Sequence, residues 1–203
     1  MIVKRQCSGE CYLIRYADDF VCCFQSGYEA KVFREKLEER FAKYGLELAE
    51  EKTKALEFGR FARQNRERRG QGKPDTFDFL GFTFYCGMDG KKQFFRCRVK
   101  TSKKKLRSKI KAMKEWIMNH RTLPLEWIFK IINAKLRGYY QYYGVTDNTR
   151  EVKSFLCITK KLLFKWLNRR SQRRSYTWET FNNGLLRTFP LLEPRIKVSL
   201  FYR

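Results

Sequence analysis

Asp18 and Asp19 are adjacent carboxylates set between two apolar, β-prone runs, Cys11-Tyr12-Leu13-Ile14-Arg15 and Phe20-Val21-Cys22-Cys23-Phe24. Side chains of this kind can hold Mg²⁺, a hard cation that prefers oxygen ligands and keeps several of its waters. Two such ions about 4 Å apart activate an attacking hydroxyl and steady a leaving pyrophosphate in nucleotidyl transfer. An Asp-Asp pair by itself has a simpler explanation, because aspartate side chains bond their own backbone in solvated turns. Its neighbours must decide. Cys7 and Cys11 are a second constellation with metal-ligand spacing, but no further pair follows and His120 is the only histidine, so zinc is disfavoured.

The elements that must position these groups follow from periodicity. The two apolar runs predict strands joined at a tight turn over Tyr16-Ala17-Asp18-Asp19, with both aspartates at or beside the tip. Phe33, Leu37 and Phe41 recur every fourth position, which predicts an amphipathic helix over Tyr28–Tyr44 that stops at Gly45. Leu46–Leu48 and Ala55–Phe58 read as short strands around a turn at Glu50-Glu51-Lys52-Thr53. Residues 59–75 have glycines, Pro74 and five arginines but no apolar period, and read as a basic loop. Phe77–Tyr85 and Gln93–Val99 read as a second hairpin around Gly87-Met88-Asp89-Gly90.

Beyond Ser102, a suitable N-cap, the period becomes helical. Leu106, Ile110, Met113 and Ile117 mark one stripe. Leu125, Ile128, Ile132, Leu136 and Tyr143 mark another after Pro124, and Val152, Phe155, Thr159, Leu163 and Trp166 mark a third. Three antiparallel helices are expected from the short connections, followed by a short helix and extended tail. The fold class is therefore α+β, divided near residue 100 into strand-rich 1–100 and helical 101–203.

Charge separates the two parts further. The chain has 45 Lys+Arg against 21 Asp+Glu, a net of +24 over 203 residues. Residues 1–100 carry 21 basic and 15 acidic side chains, whereas 101–203 carry 24 and 6. A compact body with that excess repels itself unless a polyanion neutralises it, which points to nucleic acid and to the second half as the phosphate-binding surface. Aromatics at 16% exclude a disordered chain, and charged residues at 33% with no long apolar run exclude a membrane span. Seven cysteines, an odd count with no signal peptide, predict a reducing compartment rather than a disulfide framework.

Tyr16-Ala17-Asp18-Asp19 between apolar strands resembles the active-site hairpin of reverse transcriptases, and Ala17 is the form common in group II intron enzymes. Gly45-Leu46-Glu47-Leu48-Ala49-Glu50-Glu51-Lys52-Thr53 is similar to that family's next palm segment. Phe77-Asp78-Phe79-Leu80-Gly81-Phe82 is similar to the segment leading out of the palm. Leu136-Arg137-Gly138-Tyr139-Tyr140-Gln141-Tyr142-Tyr143-Gly144 resembles the signature of the maturase-specific region, or thumb. Four ordered matches identify the chain as similar to the carboxyl-terminal part of a group II intron reverse transcriptase/maturase: a partial palm of hairpins with one helix over 1–100, then an α-helical thumb/maturase domain over 101–203.

The resemblance implies roles. Asp18 and Asp19 would be catalytic metal ligands of a two-metal Mg²⁺ site, Lys52 would neutralise the leaving pyrophosphate, and Tyr16, Leu80 and Gly81 would contact primer and template. It also implies fingers and an early palm strand bearing another aspartate, for which the fifteen residues before Tyr16, with Glu10 as their one acid, have no counterpart. The metal site is thus expected to be incomplete in this chain and polymerase activity weak unless a complementing amino-terminal fragment restores it. RNA binding is distributed over many cations and survives that loss. Its expected carriers are Lys103, Lys104, Lys105, Lys109, Arg137, Tyr140, Lys160, Lys161, Lys165, Arg169 and Arg170, with Arg173-Arg174 continuing the run. Tyr140 and Arg137 are expected on the surface, with about half of the four tyrosines in the core; the tryptophans are expected as core or interface anchors. The partner implied is group II intron RNA, whose splicing the protein would assist. A primer–template duplex, a homodimer and a non-functional remnant stay open, as does a bacterial cytoplasmic or organellar setting.

Overall fold

The computed structural model describes residues 7–88, 94–171 and 175–199. Asp89, Gly90 and Gln93 of the expected second hairpin, and Arg173-Arg174, lie outside the described residues. The chain forms two compact units, one of residues 1–76 with 86–96 and one of residues 77–85 with 97–203. Among the described residues no helix is long and apolar enough to cross a membrane.

In the first unit, β1 (Cys11–Tyr16) and β2 (Asp19–Phe24) pair antiparallel, with Tyr16 opposite Asp19 and Cys11 opposite Phe24. The helix α1 (Gly27–Ala42) follows, and Phe24 meets Phe33 at a ring separation of 5.2 Å. Gly45 closes α1: it sits at φ +67°, the Leu46 N–H donates to Phe41 O at 3.0 Å, and the Gly45 N–H donates to Ala42 O at 3.1 Å. This is the six-to-one and five-to-two pairing that glycine permits by adopting the left-handed region. No residue of α1 is buried, and Phe33, Leu37 and Phe41 are half-buried.

Two expectations for this unit are corrected. Leu46–Leu48 and Ala55–Phe58 are not strands; a strand needs a ladder partner for its amides, and no neighbouring strand takes them among the described residues. The turn between them does form, with the Thr53 N–H donating to Ala49 O at 2.9 Å. The basic segment 59–75 is not all loop, because Ala62–Arg68 forms a helix, α2. Charge pairing supplies what apolar period does not: Arg63 meets Glu67 at 2.7 Å one turn on, Arg66 meets Asp75 at 2.7 Å, and Arg69 pairs with Glu57.

The run Phe77–Tyr85 also departs from expectation. It is not one strand but two, β3 (Phe77–Phe79) and β4 (Phe82–Met88), folded back on each other at Leu80-Gly81. With β5 (Phe95–Thr101) they make a sheet of order β3-β4-β5. Leu80 at φ +49° and Gly81 at φ +77° are both left-handed, as a two-residue primed turn requires. The sequence hides this turn because leucine is a poor choice at its first position.

The second unit is helical. Ser102 caps α3 (Lys103–His120) by accepting from the Lys105 N–H at 3.3 Å. Next come α4 (Leu125–Tyr143) and α5 (Thr149–Leu167), the latter packed extensively on α3. All three expected stripes enter one core: Met113 and Ile117 from α3; Ile128, Ile132, Leu136 and Tyr143 from α4; Val152, Phe155 and Leu163 from α5. Thr159, on the same stripe, satisfies its buried hydroxyl by donating to Phe155 O at 2.8 Å. The tail is a short helical stretch, α6 (Trp178–Thr180), a π turn (Phe181–Leu185) and α7 (Leu186–Thr188), followed by extended chain. Asn133 on α4 pins that chain, donating to Pro190 O at 2.9 Å and accepting from the Leu192 N–H at 2.8 Å.

Candidate functional site

The carboxylate hairpin presents its tip to solvent. Its loop is Ala17-Asp18, with Ala17 at φ +51°, so the first loop position is left-handed and Arg15 braces it by donating from Nε to Ala17 O at 2.9 Å. Asp18 lies in the loop and Asp19 opens β2 opposite Tyr16. Alternation puts Asp19 on the same ribbon face as Tyr16, Ile14 and Tyr12, of which Tyr16 is 66 % exposed. Both aspartates are exposed, and neither has an ion-pair partner among the described residues. No group of three or more potential metal-binding side chains occurs among those residues. Lys52 is exposed in its own turn and is not paired with Asp18 or Asp19.

Within the second unit the Leu80-Gly81 turn is docked by contacts that the spacing of residues did not reveal. Tyr142 donates its hydroxyl to Leu80 O at 2.8 Å, and the Ser102 N–H donates to Gly81 O at 3.0 Å. A Cβ at Gly81 would lie 3.0 Å from the Tyr143 hydroxyl and 3.6 Å from Cγ of Lys105. Phe82, next in the chain, stacks on Tyr142 with centroids 5.7 Å apart and meets the edge of Tyr143 at 5.2 Å. Leu80, Gly81 and Lys105 are therefore one neighbourhood, held by α4.

Asn148 fastens the same neighbourhood from beneath. It is fully buried; its Oδ1 accepts from the Thr101 N–H at 2.7 Å, and its Nδ2 donates to Thr101 Oγ1 and to Tyr143 O, each at 2.8 Å. Beside it Arg98 pairs with Asp147 at 2.9 Å. The end of β5 and the loop between α4 and α5 are thus joined by a buried polar cluster in which both Asn148 amide atoms are hydrogen-bonded.

The tyrosine run corrects one surface assignment. Tyr140 is 2 % exposed, and Tyr139 and Tyr143 are buried with it, so three of the four point into the core rather than about half. Tyr142 is the exposed member, at 53 %. The helical stripe from Ile132 and Leu136 leads to Tyr139, Tyr140 and Tyr143 and turns Tyr142 outward, so periodicity applied strictly would have distinguished them. Burial pushes the Tyr139 phenol up to about 12 and the Tyr140 phenol higher still. Arg137 is exposed as expected.

Cations cover the outer faces of the helices. Lys103, Lys104, Lys105 and Lys109 are exposed along α3, as are Lys161 and Lys165 on α5 and Arg169 just after it. Two expected members are partly occupied within the fold: Lys160 meets Glu193 at 3.2 Å, and Arg170 donates to Leu123 O. Lys165 and Arg169 lie 5.8 and 5.3 Å from the Trp166 ring centroid, joined by Arg121 at 5.9 Å. Arg121 was not among the expected residues, and its nearness to Trp166 is a tertiary feature.

Comparison with known families matches residues 2–84 to a reverse transcriptase (RNA-dependent DNA polymerase) family and residues 103–182 to a group II intron maturase-specific domain. No curated protein matches the chain.

Proposed function

Since the chain belongs to the group II intron reverse transcriptase/maturase family, we propose that its helical half, residues 101–203, binds structured intron RNA and favours the fold competent for splicing. The observation that carries this reading is the display of exposed lysines on α3 and α5 over a close-packed apolar core. Polyanion binding is driven by phosphate neutralisation and counterion release, so a rigid body with cations on its outer helix faces suits a folded RNA. Lys103, Lys104, Lys105, Lys109, Arg137, Lys161, Lys165 and Arg169 are the residues proposed to meet phosphate. The test compares a group II intron RNA with an unrelated structured RNA at matched salt. Tighter binding of the intron supports the reading, and equal affinity removes it.

A second reading is favoured by the exposed Asp18-Asp19 turn: that residues 1–100 contribute to an RNA-directed DNA polymerase site. Two free, solvent-facing carboxylates fit Mg²⁺, which commonly takes one or two protein carboxylates and fills its shell with water and phosphate. Asp18 and Asp19 would hold it, and the bound ion would supply charge stabilisation at the reacting phosphate. In this reading Tyr16 offers an exposed ring on the Asp19 face to the primer end, Leu80-Gly81 offers its turn to the duplex, and Lys52 offers charge to the departing pyrophosphate. Primer extension on an RNA template, compared with Asp18→Ala, tests it; extension unchanged by that substitution would remove Asp18 from the mechanism.

A further inference from the structure

We propose that Trp116, His120 and Trp127 form a stacking site for an unpaired RNA base, an inference that rests on the RNA-binding reading of the helical half. Trp116 and His120 lie one turn apart at the end of α3, with ring centroids 4.7 Å apart and planes 12° from parallel. Trp127, on the first turn of α4, brings its ring to 5.9 Å from Trp116 at 24° and 6.2 Å from His120 at 31°. The His120 ring is fixed by Nδ1, which lies 2.8 Å from Trp116 O. Trp116 packs partly on the core, so the cluster has a rigid floor, whereas Trp127 leaves 43 % of its surface exposed. An indole so exposed leaves apolar area in water that a flat ligand would cover.

Charge selects the occupant. Lys135 lies 5.4 Å from the Trp116 ring centroid, and Lys130 is exposed one turn after Trp127. Neither lysine, nor Lys114, has an acidic partner among the described residues, and the nearby Glu115 is turned to Lys111 at 3.9 Å. Rings stacked on Trp116 and bordered by lysines without a carboxylate partner match a nucleotide, whose base stacks while its phosphate meets an ammonium group. An apolar peptide would use the rings and leave the lysines unpaired.

The experiment measures binding of an oligouridylate and of an abasic strand of equal length to the whole chain, at two salt concentrations. The wild type is compared with Trp127→Ala and Trp127→Phe after far-ultraviolet circular dichroism has shown each to be folded. We expect Trp127→Ala to weaken oligouridylate binding about tenfold, to leave the abasic strand unchanged and to preserve the salt slope, whereas Trp127→Phe keeps most of the affinity. Equal losses on both strands, or no loss on either, overturn the proposal. So does a Trp127→Ala variant that dissociates a dimer in sedimentation without altering the base-dependent affinity, which would assign the rings to a second copy of the chain. Because neither strand contains intron sequence, lack of intron selectivity alone would leave this result intact.

Discussion

Tyr140 carries its hydroxyl into the helical core, where it is buried and finds no hydrogen-bond partner among the described residues. A buried hydroxyl left unpaired costs roughly 1–3 kcal/mol. Tyr140→Phe keeps the ring and removes the orphaned group, and should stabilise the protein by about 1 kcal/mol, read as a higher denaturant midpoint at unchanged slope. Alkaline pH gives a second measurement at the same scale. Burial raises the Tyr139 phenol from 10.0 to about 12, so between those values the unfolded chain has released a proton that the folded chain keeps. That phenol's contribution is complete below pH 10 and is lost as pH rises toward 12. Stability should therefore fall across this window, and Tyr139→Phe should make the fall shallower in pH-resolved unfolding. Gly81 is constrained in the opposite sense: its φ of +77° strains any side chain, and a Cβ there would sit 3.0 Å from the Tyr143 hydroxyl, which would have to shift. Gly81→Ala should cost about 2 kcal/mol, from the left-handed backbone and the displaced hydroxyl together.

Hairpins and helices here are held by different means, and that difference explains which of them could be read in advance. Helices α3 to α5 were visible as stripes because each buries a continuous apolar face, and Ser102 and Pro124 mark their starts. The helix α2 was not visible, because Arg63, Arg66 and Arg69 stabilise it through Glu67, Asp75 and Glu57 rather than through a buried stripe. The division of Phe77–Tyr85 into two strands is not legible in the sequence because Leu80 gives no turn signal of its own; Tyr142 and Ser102 hold that turn from distant sequence positions. Asn148 is the fastening with the largest expected effect. Asn148→Ala would leave the Thr101 amide unpaired in the interior and take one of two donors from the Tyr143 carbonyl, which keeps the Val145 N–H at 2.9 Å, and should cost about 2 kcal/mol in equilibrium unfolding. Asn148→Asp, which keeps the acceptors and loses both donors, should rescue little of that loss.

Across the whole molecule stability is unevenly distributed. Of the buried apolar side chains, Cys11 and Ala62 belong to the first unit, whereas the second holds the large contiguous core. Tyr12, Leu13, Ile14, Tyr16 and Phe20 are exposed on the carboxylate ribbon, and a two-stranded ribbon with so little burial has scant stability of its own. Limited trypsin digestion should therefore cut between Arg60 and Lys73 before it cuts within Lys103–Lys114. Basic sites are exposed in both regions, but α3 is anchored by Met113 and Ile117 and must open before it can be cleaved. Equal rates at the two regions would show that the first unit is as firmly held as the second.

The amino-acid sequence by itself determined the family, the charge asymmetry between the halves, the carboxylate turn and the three helical stripes. These depend on local order: a motif, a net charge and a period survive without knowing what packs where. Tertiary structure alone decided that the outward-facing Tyr142 holds the Leu80-Gly81 turn, that Asn148 ties Thr101 to Tyr143, and that Trp116, His120 and Trp127 share one surface. Each joins positions whose proximity arises only when separate elements pack, and packing is set by the complementarity of whole faces.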